Sequence, residues 1–188
     1  MLIDKNTSFK DFLKYSNFFK LDENQLKPLF DQLDSGEHPE FILKKNVPKN
    51  LNELTFGQLI QLQLIKTNED VLFVPPMVIL GISKEDVLKC RVFDVIRFML
   101  FVKRELERIA KLFSDIQYKP TQEEIQAGIN NINNGIFGTI DWFAKRMGII
   151  DHEYVELIPW VRIYQCAKID NNNALFERRL RNILTKKK

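Results

Sequence analysis

The chain has 188 residues, of which 45% are hydrophobic and 28% charged, with a formal net charge of +3. This balance is typical of one globular domain or two small ones; it excludes a disordered chain, and the small charge by itself implies no polyanionic partner. Fifteen phenylalanines against seven glycines and seven prolines favour long helices with aromatic packing faces.

Cysteine content and hydropathy indicate a reduced protein outside the membrane. Cys90 and Cys166 are too few for a disulfide framework, so we expect two reduced thiols. The N-terminal sequence MLIDKNTSFKDF shows no signal peptide, which predicts a cytoplasmic setting. The longest uncharged apolar stretch, residues 71–82, is interrupted by Pro75-Pro76 and is shorter than the ~20 residues of a spanning helix. We therefore expect a buried core segment, broken at the prolines.

Residues 1–38 carry two helical patterns, which predict an N-terminal helical hairpin. Ser8 and Asp22 are suitable N-caps for its two helices. The apolar positions have helical spacing and are Phe9, Phe12, Leu13 and Phe19, then Leu26, Leu29, Phe30 and Leu33. Residues 40–48 have the only strand character in the chain, which allows a short β-hairpin there.

Residues 39–118 are expected to form a central helical domain. Thr55 begins one helix, and Ser83 with Asp86 has the spacing of a capping box for a short second helix. Residues 91–115 predict the longest helix of the chain. Its first half is apolar on nearly all sides, so it must be covered on more than one side and is the expected central helix.

Residues 119–188 are expected to form a C-terminal helical domain after the break at residues 118–120. Thr121 and Glu124 form a capping box, and residues 133–138 (NNGIFG) predict a turn. A helix over residues 139–147 should end at Gly148. Residues 151–168 predict a helix with a kink or a new start at Pro159, and DNNNA at 170–174 should separate it from a final basic helix. The predicted fold class is all-α, a mainly helical bundle.

Residues for catalysis or metal binding are scarce. His38 lies in a predicted turn and His152 at a predicted helix start, and neither is paired with a recognisable nucleophile. Asp151, His152 and Glu153 are adjacent, so on a helix they face different directions and form no ligand set. Glycine-rich phosphate loops are absent from the sequence. We expect no enzyme, no cofactor and no metal site.

The C-terminus leaves two interpretations open. Residues 177–188 contain six basic residues and one acid, which could neutralise nucleic-acid phosphates or form a solvated helix end. Trp142 and Trp160, with basic residues nearby in the sequence, could stack on single-stranded nucleic acid. Core packing is the stronger interpretation of Trp160, because Leu157, Val161 and Tyr164 extend the same helical side.

Two stretches of sequence resemble a known group of proteins. NVPKNLNELTFGQLIQL at 46–62 resembles a segment that recurs in small proteins of tailed bacteriophages. Residues 121–180 have a similar order of capped helix, FGTID turn, ELIPW motif and FERR helix. The resemblance implies a role in head completion or tail assembly, as a virion structural protein of the neck, connector or tail region, or as a tail-assembly chaperone. It also implies the bacterial host cytoplasm during assembly, or the virion, as the location.

The sequence therefore predicts a protein that binds other proteins. The expected partners are other phage structural proteins and further copies of the chain, in a homo-oligomer or ring. Nucleic acid binding through the basic C-terminal helix is the less favoured alternative, and no membrane partner is expected. The predicted interface residues are the aromatic and arginine side chains Phe98, Phe101, Trp142, Tyr154, Arg178, Arg179 and Arg181.

Overall fold

A computed structural model of the chain describes residues 7–16, 39–132 and 134–186. Its helices are α1 (Phe9–Ser16), α2 (Phe56–Gln63), α3 (Asn68–Leu80), α4 (Lys84–Val87), α5 (Val92–Asp115), α6 (Gln122–Gln126), α7 (Gly135–Met147), α8 (His152–Glu156) and α9 (Trp160–Lys186). A single turn of 3₁₀-helix covers Ile129–Asn131, and two strands, β1 (Phe41–Ile42) and β2 (Lys45–Asn46), pair antiparallel. The predicted helical class with a short hairpin near residues 40–48 is confirmed. The predicted second helix of the N-terminal hairpin, its cap Asp22 and His38 lie outside the described residues.

The chain divides into two compact units. Unit 1 consists of the described residues of Met1–Leu51 together with Ile60–Arg108. Unit 2 consists of Asn52–Leu59 together with the described residues of Ile109–Lys188. This division differs from the predicted boundaries at residues 38 and 118, because one boundary falls inside helix α5, where no break in the sequence marks it.

Helix α1 is held to unit 1 by backbone pairing and by aromatic packing. The Phe9 N–H donates to the Cys90 carbonyl at 2.8 Å, and the Val92 N–H donates to the Thr7 carbonyl at 3.0 Å. The Phe9 ring is fully buried and packs edge-on against Phe73. The predicted cap is present, because the Asp11 N–H donates to the Ser8 hydroxyl at 3.1 Å.

Helix α5 supplies much of the core of unit 1. Its buried side chains in this unit spread over a sector of about 220° around the helix axis. They are Val92, Val95, Ile96, Phe98, Met99, Phe101 and Val102. Neighbouring elements must therefore cover the N-terminal half of the helix on several sides, as its apolar sequence predicted. The predicted start and end of this helix agree with the structure to within one residue.

Helix α3 passes through Pro75 and Pro76, so the expected break at the prolines was wrong. The helix begins after Thr67, whose hydroxyl accepts the Asp70 N–H, and it ends at Gly81 in the left-handed conformation. An interior proline removes one hydrogen bond of the ladder and costs about 3 kcal/mol. Burial of apolar side chains on this helix offsets that cost, and both prolines are themselves buried.

Residues 52–59 are bound to the loop before helix α9 by two backbone hydrogen bonds within unit 2. The Phe56 N–H donates to the Ile158 carbonyl at 2.8 Å, and the Trp160 N–H donates to the Leu54 carbonyl at 3.2 Å. Gly57 lies so close to helix α8 that an added Cβ would meet the Glu156 Cβ at 3.0 Å. A new helix, α9, therefore begins after Pro159, as predicted. Its start is fixed by the backbone hydrogen bonds to residues 54 and 56.

Two predictions about unit 2 were wrong. Helix α9 runs without interruption through residues 170–174, and its 27 residues make it longer than α5, with 24. Asn and Asp lower helix propensity by only about 0.7 kcal/mol each, and this stretch contains no Gly or Pro to stop the helix. Helix α7 begins at Gly135, so residues 135–138 form its first turn and not a loop.

The predicted helix caps that fall within the described residues are confirmed. Thr55 and Gln58 exchange hydrogen bonds at the start of α2, and Thr121 and Glu124 do the same at the start of α6. The Ser83 hydroxyl accepts the Asp86 N–H before helix α4. Gly148 ends helix α7 with a φ of 67°, the left-handed conformation that favours glycine.

Candidate functional site

One side of helix α9 packs within unit 2. Trp160 and Ile163 are buried, and the Tyr164 ring lies edge-on to Phe113 with centroids 5.5 Å apart. Almost two turns further on, the Asp170 carboxylate accepts hydrogen bonds from Arg146 Nη2 and Nε at 3.0 Å. Near the C-terminal end of the packed region, Arg178 Nη1 donates to the Lys119 carbonyl at 3.1 Å. These residues share one side of the helix, since 3.6 residues make one turn.

The opposite side of helix α9 carries a row of exposed apolar side chains, which we call the apolar stripe. Its members and their exposed fractions are Ile169 (52%), Phe176 (62%), Leu180 (43%), Ile183 (54%) and Leu184 (56%). At about 100° per residue, these five side chains fall within a sector of about 100° around the helix axis. Every side chain from Arg179 to Thr185 is exposed, so this end of the helix has no packed face of its own.

Positive charge borders the apolar stripe. Arg179 and Arg181 are exposed, and the Arg179 Nε donates to the Leu175 carbonyl of the same helix at 3.2 Å. Residues 177–188 contain six basic residues and one acid, Glu177, which gives this segment a net charge of +5. The surface therefore combines apolar and cationic character on one helix.

A second exposed apolar group lies at helix α8 and the turn before it. Ile150 is 96% exposed, Leu157 67% and Tyr154 57%. Tyr154, one of the predicted interface residues, is thus accessible on the surface of unit 2. Large apolar side chains exposed within one short stretch of chain are typical of interaction surfaces.

Three further predicted interface residues take different positions. Phe98 and Phe101 are 0% and 5% exposed in the core of unit 1, with ring centroids 6.2 Å apart. They cannot contact another protein in this conformation, so this part of the prediction was wrong. The cause is that an apolar helix half predicts burial equally well inside the chain and against a partner. Trp142 is half-buried and packs against the Phe143 ring.

Trp142 also lines an open groove of about 480 Å³ in unit 2. Aromatic side chains on its walls include Phe113 and Tyr118, and polar ones include Thr139 and Asp170. The Asp170 carboxylate is already paired with Arg146, so it presents no uncompensated charge to the groove.

Ionisable groups in unit 2 form ion pairs and caps. The Lys145 ammonium, 2.7 Å away, lowers the pKa of Asp141, and His152 Nε2 lies 3.4 Å from the same carboxylate. Hydrogen bonds from the Tyr118 hydroxyl and the Thr121 N–H lower the pKa of Glu124. The Asp141–Lys145 pair lies along helix α7, and Glu124 belongs to the cap of helix α6. The described residues bring together no cluster of three or more His, Cys, Asp or Glu side chains suited to a metal ion.

Comparison with known proteins gives no relative for this chain. No family model, no curated protein and no solved structure matches it. Among the described helices, none has both the length and the apolar character to cross a membrane.

Proposed function

We propose that this protein is a non-enzymatic assembly component that acts through protein–protein contacts, with helix α9 as its principal docking element. The observation that supports the proposal is the apolar stripe, exposed on the side of α9 that its own unit does not cover. Full burial of such a side chain contributes about 1.5–3 kcal/mol, so a partner that covers the half-exposed stripe gains about 1 kcal/mol per residue.

The spacing of the stripe fits binding of a helix in a groove. Phe176, Leu180 and Ile183 stand at positions i, i+4 and i+7, the pattern by which an amphipathic helix places its anchors in an apolar groove. Phe176 is the largest of the three and the most exposed, so we assign it the central anchoring role. Tyr154 on α8, with Ile150 and Leu157 on either side of that helix in the sequence, provides a second contact surface.

The biological setting that we propose is the assembly of a tailed bacteriophage particle. This part of the proposal rests on the sequence resemblance of residues 46–62 and 121–180 alone. In that setting the chain is a structural protein of the neck, connector or tail region, or a tail-assembly chaperone that leaves the finished particle. The candidate partners are other structural proteins of the particle and further copies of this chain.

Nucleic acid is the second candidate partner, because Arg179 and Arg181 are exposed on a segment of net charge +5. Phosphate binding, however, does not explain why the same helix exposes five apolar side chains. Arg178 is partly used within unit 2 through its bond to Lys119. We therefore favour a protein partner for this helix.

Site-specific photocrosslinking in cells that express the chain from its native genome tests this function. A photoreactive residue at Phe176 or Leu180 should give protein adducts of defined mass, whereas the matched control at Asn182, exposed on the other side of α9, should give none. Adducts to nucleic acid alone, or equal labelling from all three positions, would contradict the proposal.

Mass spectrometry of purified particles separates the two assembly roles. A virion component should be present in a fixed ratio to the major structural proteins. A chaperone should be absent from particles and form its adducts only before assembly is complete. If the chain crosslinks to no particle protein at any stage, the phage setting is wrong.

A further inference from the structure

We propose that the groove of unit 2 that Trp142 lines binds the base of a nucleotide, with the phosphate held at Arg181. The inference goes beyond the proposed function, because it uses a surface other than the apolar stripe. The volume of the groove, about 480 Å³, lies within the range of about 300–1,000 Å³ that is typical of small-molecule sites. Free nucleotides and single-stranded nucleic acid both carry this chemistry.

Two helices of unit 2 form the sides of the groove. Helix α7 lines it with Gly135 and Gly138, and helix α9 lines it with Ala167 and Ala174. These small residues leave space between the two helices, so that a flat ligand can enter between the longer side chains.

Aromatic rings in the groove provide a surface on which a base can stack. Trp142 is half-buried and Tyr118 is 38% exposed, so both rings have a free edge or face. The Tyr118 hydroxyl donates to the Glu124 carboxylate, whose two oxygens lie 2.6 and 2.8 Å away, and this bond holds the tyrosine ring in place. Stacking on an aromatic side chain suits every base, because each base has a π-face.

Uncharged polar side chains in the same groove suit the edge of a base. Asn134, Thr139 and Asn171 all line the groove. A carboxamide offers a donor and an acceptor side by side, the arrangement that pairs with the edge of a base. The Asp170 carboxylate is already paired with Arg146, so the groove favours an uncharged ring.

Asn134 faces the groove and does not cap its helix. It occupies the N-cap position of α7, where asparagine is favoured, but its side chain makes no cap hydrogen bond. A Cβ at Gly138 would lie 2.5 Å from the Asn134 Cβ, so glycine at 138 leaves room for this side chain. The carboxamide therefore remains available to a ligand.

Positive charge at one end of the groove fits the phosphate of a nucleotide. Arg178 and Arg181 follow Ala174 at i+4 and i+7, on the same side of helix α9. Arg178 donates to the Lys119 carbonyl and lies near two acids of helix α6, so its charge is already used. Arg181 is exposed, and it is therefore the cation that we assign to the phosphate.

A nucleotide fits this combination of groups better than an aromatic side chain of a partner protein. Phenylalanine has no polar edge, and tyrosine and tryptophan have one polar group each. The edge of a base carries several donors and acceptors, which two carboxamides and a hydroxyl can meet. An aromatic side chain also brings no anion for Arg181.

Isothermal titration calorimetry of the full-length chain with ribonucleoside monophosphates tests the proposal. Trp142→Ala and Asn171→Leu should each weaken binding by about tenfold or more, since one removes the stacking ring and the other a base-edge contact. Trp142→Phe retains an aromatic face and should keep most of the affinity. The matched control Asn173→Leu replaces an exposed asparagine about 200° around α9 from Asn171 and should leave binding unchanged.

The phosphate contact is tested by comparing adenosine with its monophosphate. Arg181→Ala should weaken binding of the monophosphate and leave binding of adenosine unchanged. Arg179→Ala removes an exposed cation on another side of α9 and should change neither. Circular dichroism melting of each variant confirms that it is folded.

Tryptophan fluorescence locates the ligand independently of affinity. The chain has two tryptophans, Trp142 in the groove and Trp160 in the core. Nucleotide binding should quench the wild-type emission. In Trp142→Phe only the buried Trp160 remains, so the quenching should disappear while calorimetry still detects binding.

A short single-stranded oligonucleotide separates the two sources of the base. Tighter binding than that of the monophosphate, with an affinity that falls steeply as salt rises, would assign the groove to single-stranded nucleic acid. Equal affinities would assign it to free nucleotides.

The proposal is wrong if the folded wild-type chain binds neither monophosphates nor the oligonucleotide, or if binding survives both Trp142→Ala and Asn171→Leu unchanged. Binding of glucose or of a tryptophan-containing peptide in the groove, with no binding of nucleotides, overturns it as well. Crosslinking from Phe176 to a protein partner does not depend on the groove, so failure here leaves the proposed function standing.

Discussion

The Arg178 guanidinium donates a hydrogen bond to the Lys119 carbonyl at 3.1 Å, across 59 residues of sequence. This bond ties helix α9 to the segment before helix α6, whose cap includes Glu124. The next arginine, Arg179, is exposed and donates to the Leu175 carbonyl of its own helix. Neighbouring arginines of one basic run therefore have different roles, the first internal to unit 2 and the second at its surface.

Replacing Arg178 with Ala should lower the free energy of unfolding by about 1 kcal/mol, the usual contribution of one such hydrogen bond. For a chain of this size, that loss corresponds to a fall of about 2–4 °C in Tm. Arg179→Ala, the matched control on the same turn, should change Tm by less than 1 °C, or about 0.3 kcal/mol. Differential scanning calorimetry makes the comparison, and equal effects of the two substitutions would contradict the division of roles.

Glu105 joins helix α5 to the segment before residue 52, within unit 1. Its carboxylate accepts the Leu51 N–H at 2.9 Å and two bonds from the Arg108 guanidinium at 2.8 Å. Burial alone would raise the pKa of Glu105, but the bonds from Arg108 and Leu51 outweigh burial and lower that pKa below its ordinary value of 4.5. The ionised form therefore stabilises the fold.

Glu105→Gln should cost about 2 kcal/mol at pH 7, because it removes charge from these hydrogen bonds. Because the pKa of Glu105 is lower in the folded state than its ordinary value of 4.5, the ionised carboxylate stabilises the fold fully above pH 4.5. This stabilisation is lost as the pH falls through the pKa of the folded state. Urea unfolding should thus show a large difference in the free energy of unfolding between wild type and variant at pH 7. At pH 3 that difference should be small. A difference that does not depend on pH would show that packing, and not charge, is responsible.

The turn of the β-hairpin holds two non-glycine residues in the left-handed region. Leu43 has a φ of 46° and Lys44 a φ of 63°, whereas Asn-Gly is the favoured pair for such a two-residue turn. The left-handed conformation costs about 1–2 kcal/mol for an ordinary residue. L43N/K44G should therefore raise the free energy of unfolding by about 1 kcal/mol, measured by urea unfolding. Leu43→Ala, the control, retains a Cβ and should give no increase.

The two cysteines should differ in reactivity towards iodoacetamide. Cys90 is buried, and burial, with Asp94 and Asp86 nearby, raises its pKa to about 11. The thiolate is the reactive form, so at pH 8 only about one part in a thousand of Cys90 is ionised. Cys166 is half-buried and should be alkylated first in the folded protein, as peptide mass mapping over time would show. Equal rates before unfolding would contradict the burial of Cys90.

The sequence predicted most local features of the fold. Helix caps such as Ser83 and Thr121, and the stop at Gly148, depend on residues three or four positions apart, so their patterns are readable directly. The continuity of helix α9 through residues 170–174 and of α3 through Pro75-Pro76 was missed. Residues 170–174 contain no Gly or Pro, so their low helix propensity alone does not end the helix. At Pro75-Pro76 the burial of apolar side chains overrides local propensity, and no pattern in the sequence reports that packing. The pairing of Leu54 with Trp160 was missed for the same reason, since it joins residues 106 positions apart.

The candidate site was predicted in part. The basic residues of the C-terminal helix were recognised, and Arg179 and Arg181 are at the surface. Phe98 and Phe101 were chosen because their helix is apolar all round, a pattern that does not distinguish the chain's own core from a partner's surface. The apolar stripe from Ile169 to Leu184 was missed as a site, because an apolar row at helical spacing normally predicts packing within the chain. Only the exposed fractions of its side chains separate the two cases.

Substitution within the stripe distinguishes a docking surface from a covered one. F176A/L180A removes two large side chains that are 62% and 43% exposed, so the free energy of unfolding should change by less than about 0.5 kcal/mol. Ile163→Ala, the comparison on the packed side of the same helix, removes a fully buried side chain and should cost about 2–5 kcal/mol.

Urea unfolding measures both changes, and the same F176A/L180A protein is then assayed for partner crosslinking from position 183. A folded variant of unchanged stability that gives no adduct is the result expected of a docking surface. If F176A/L180A instead costs more than 2 kcal/mol, the stripe is covered within the chain itself. In that case it is part of the core, and the proposal of a partner for helix α9 is wrong.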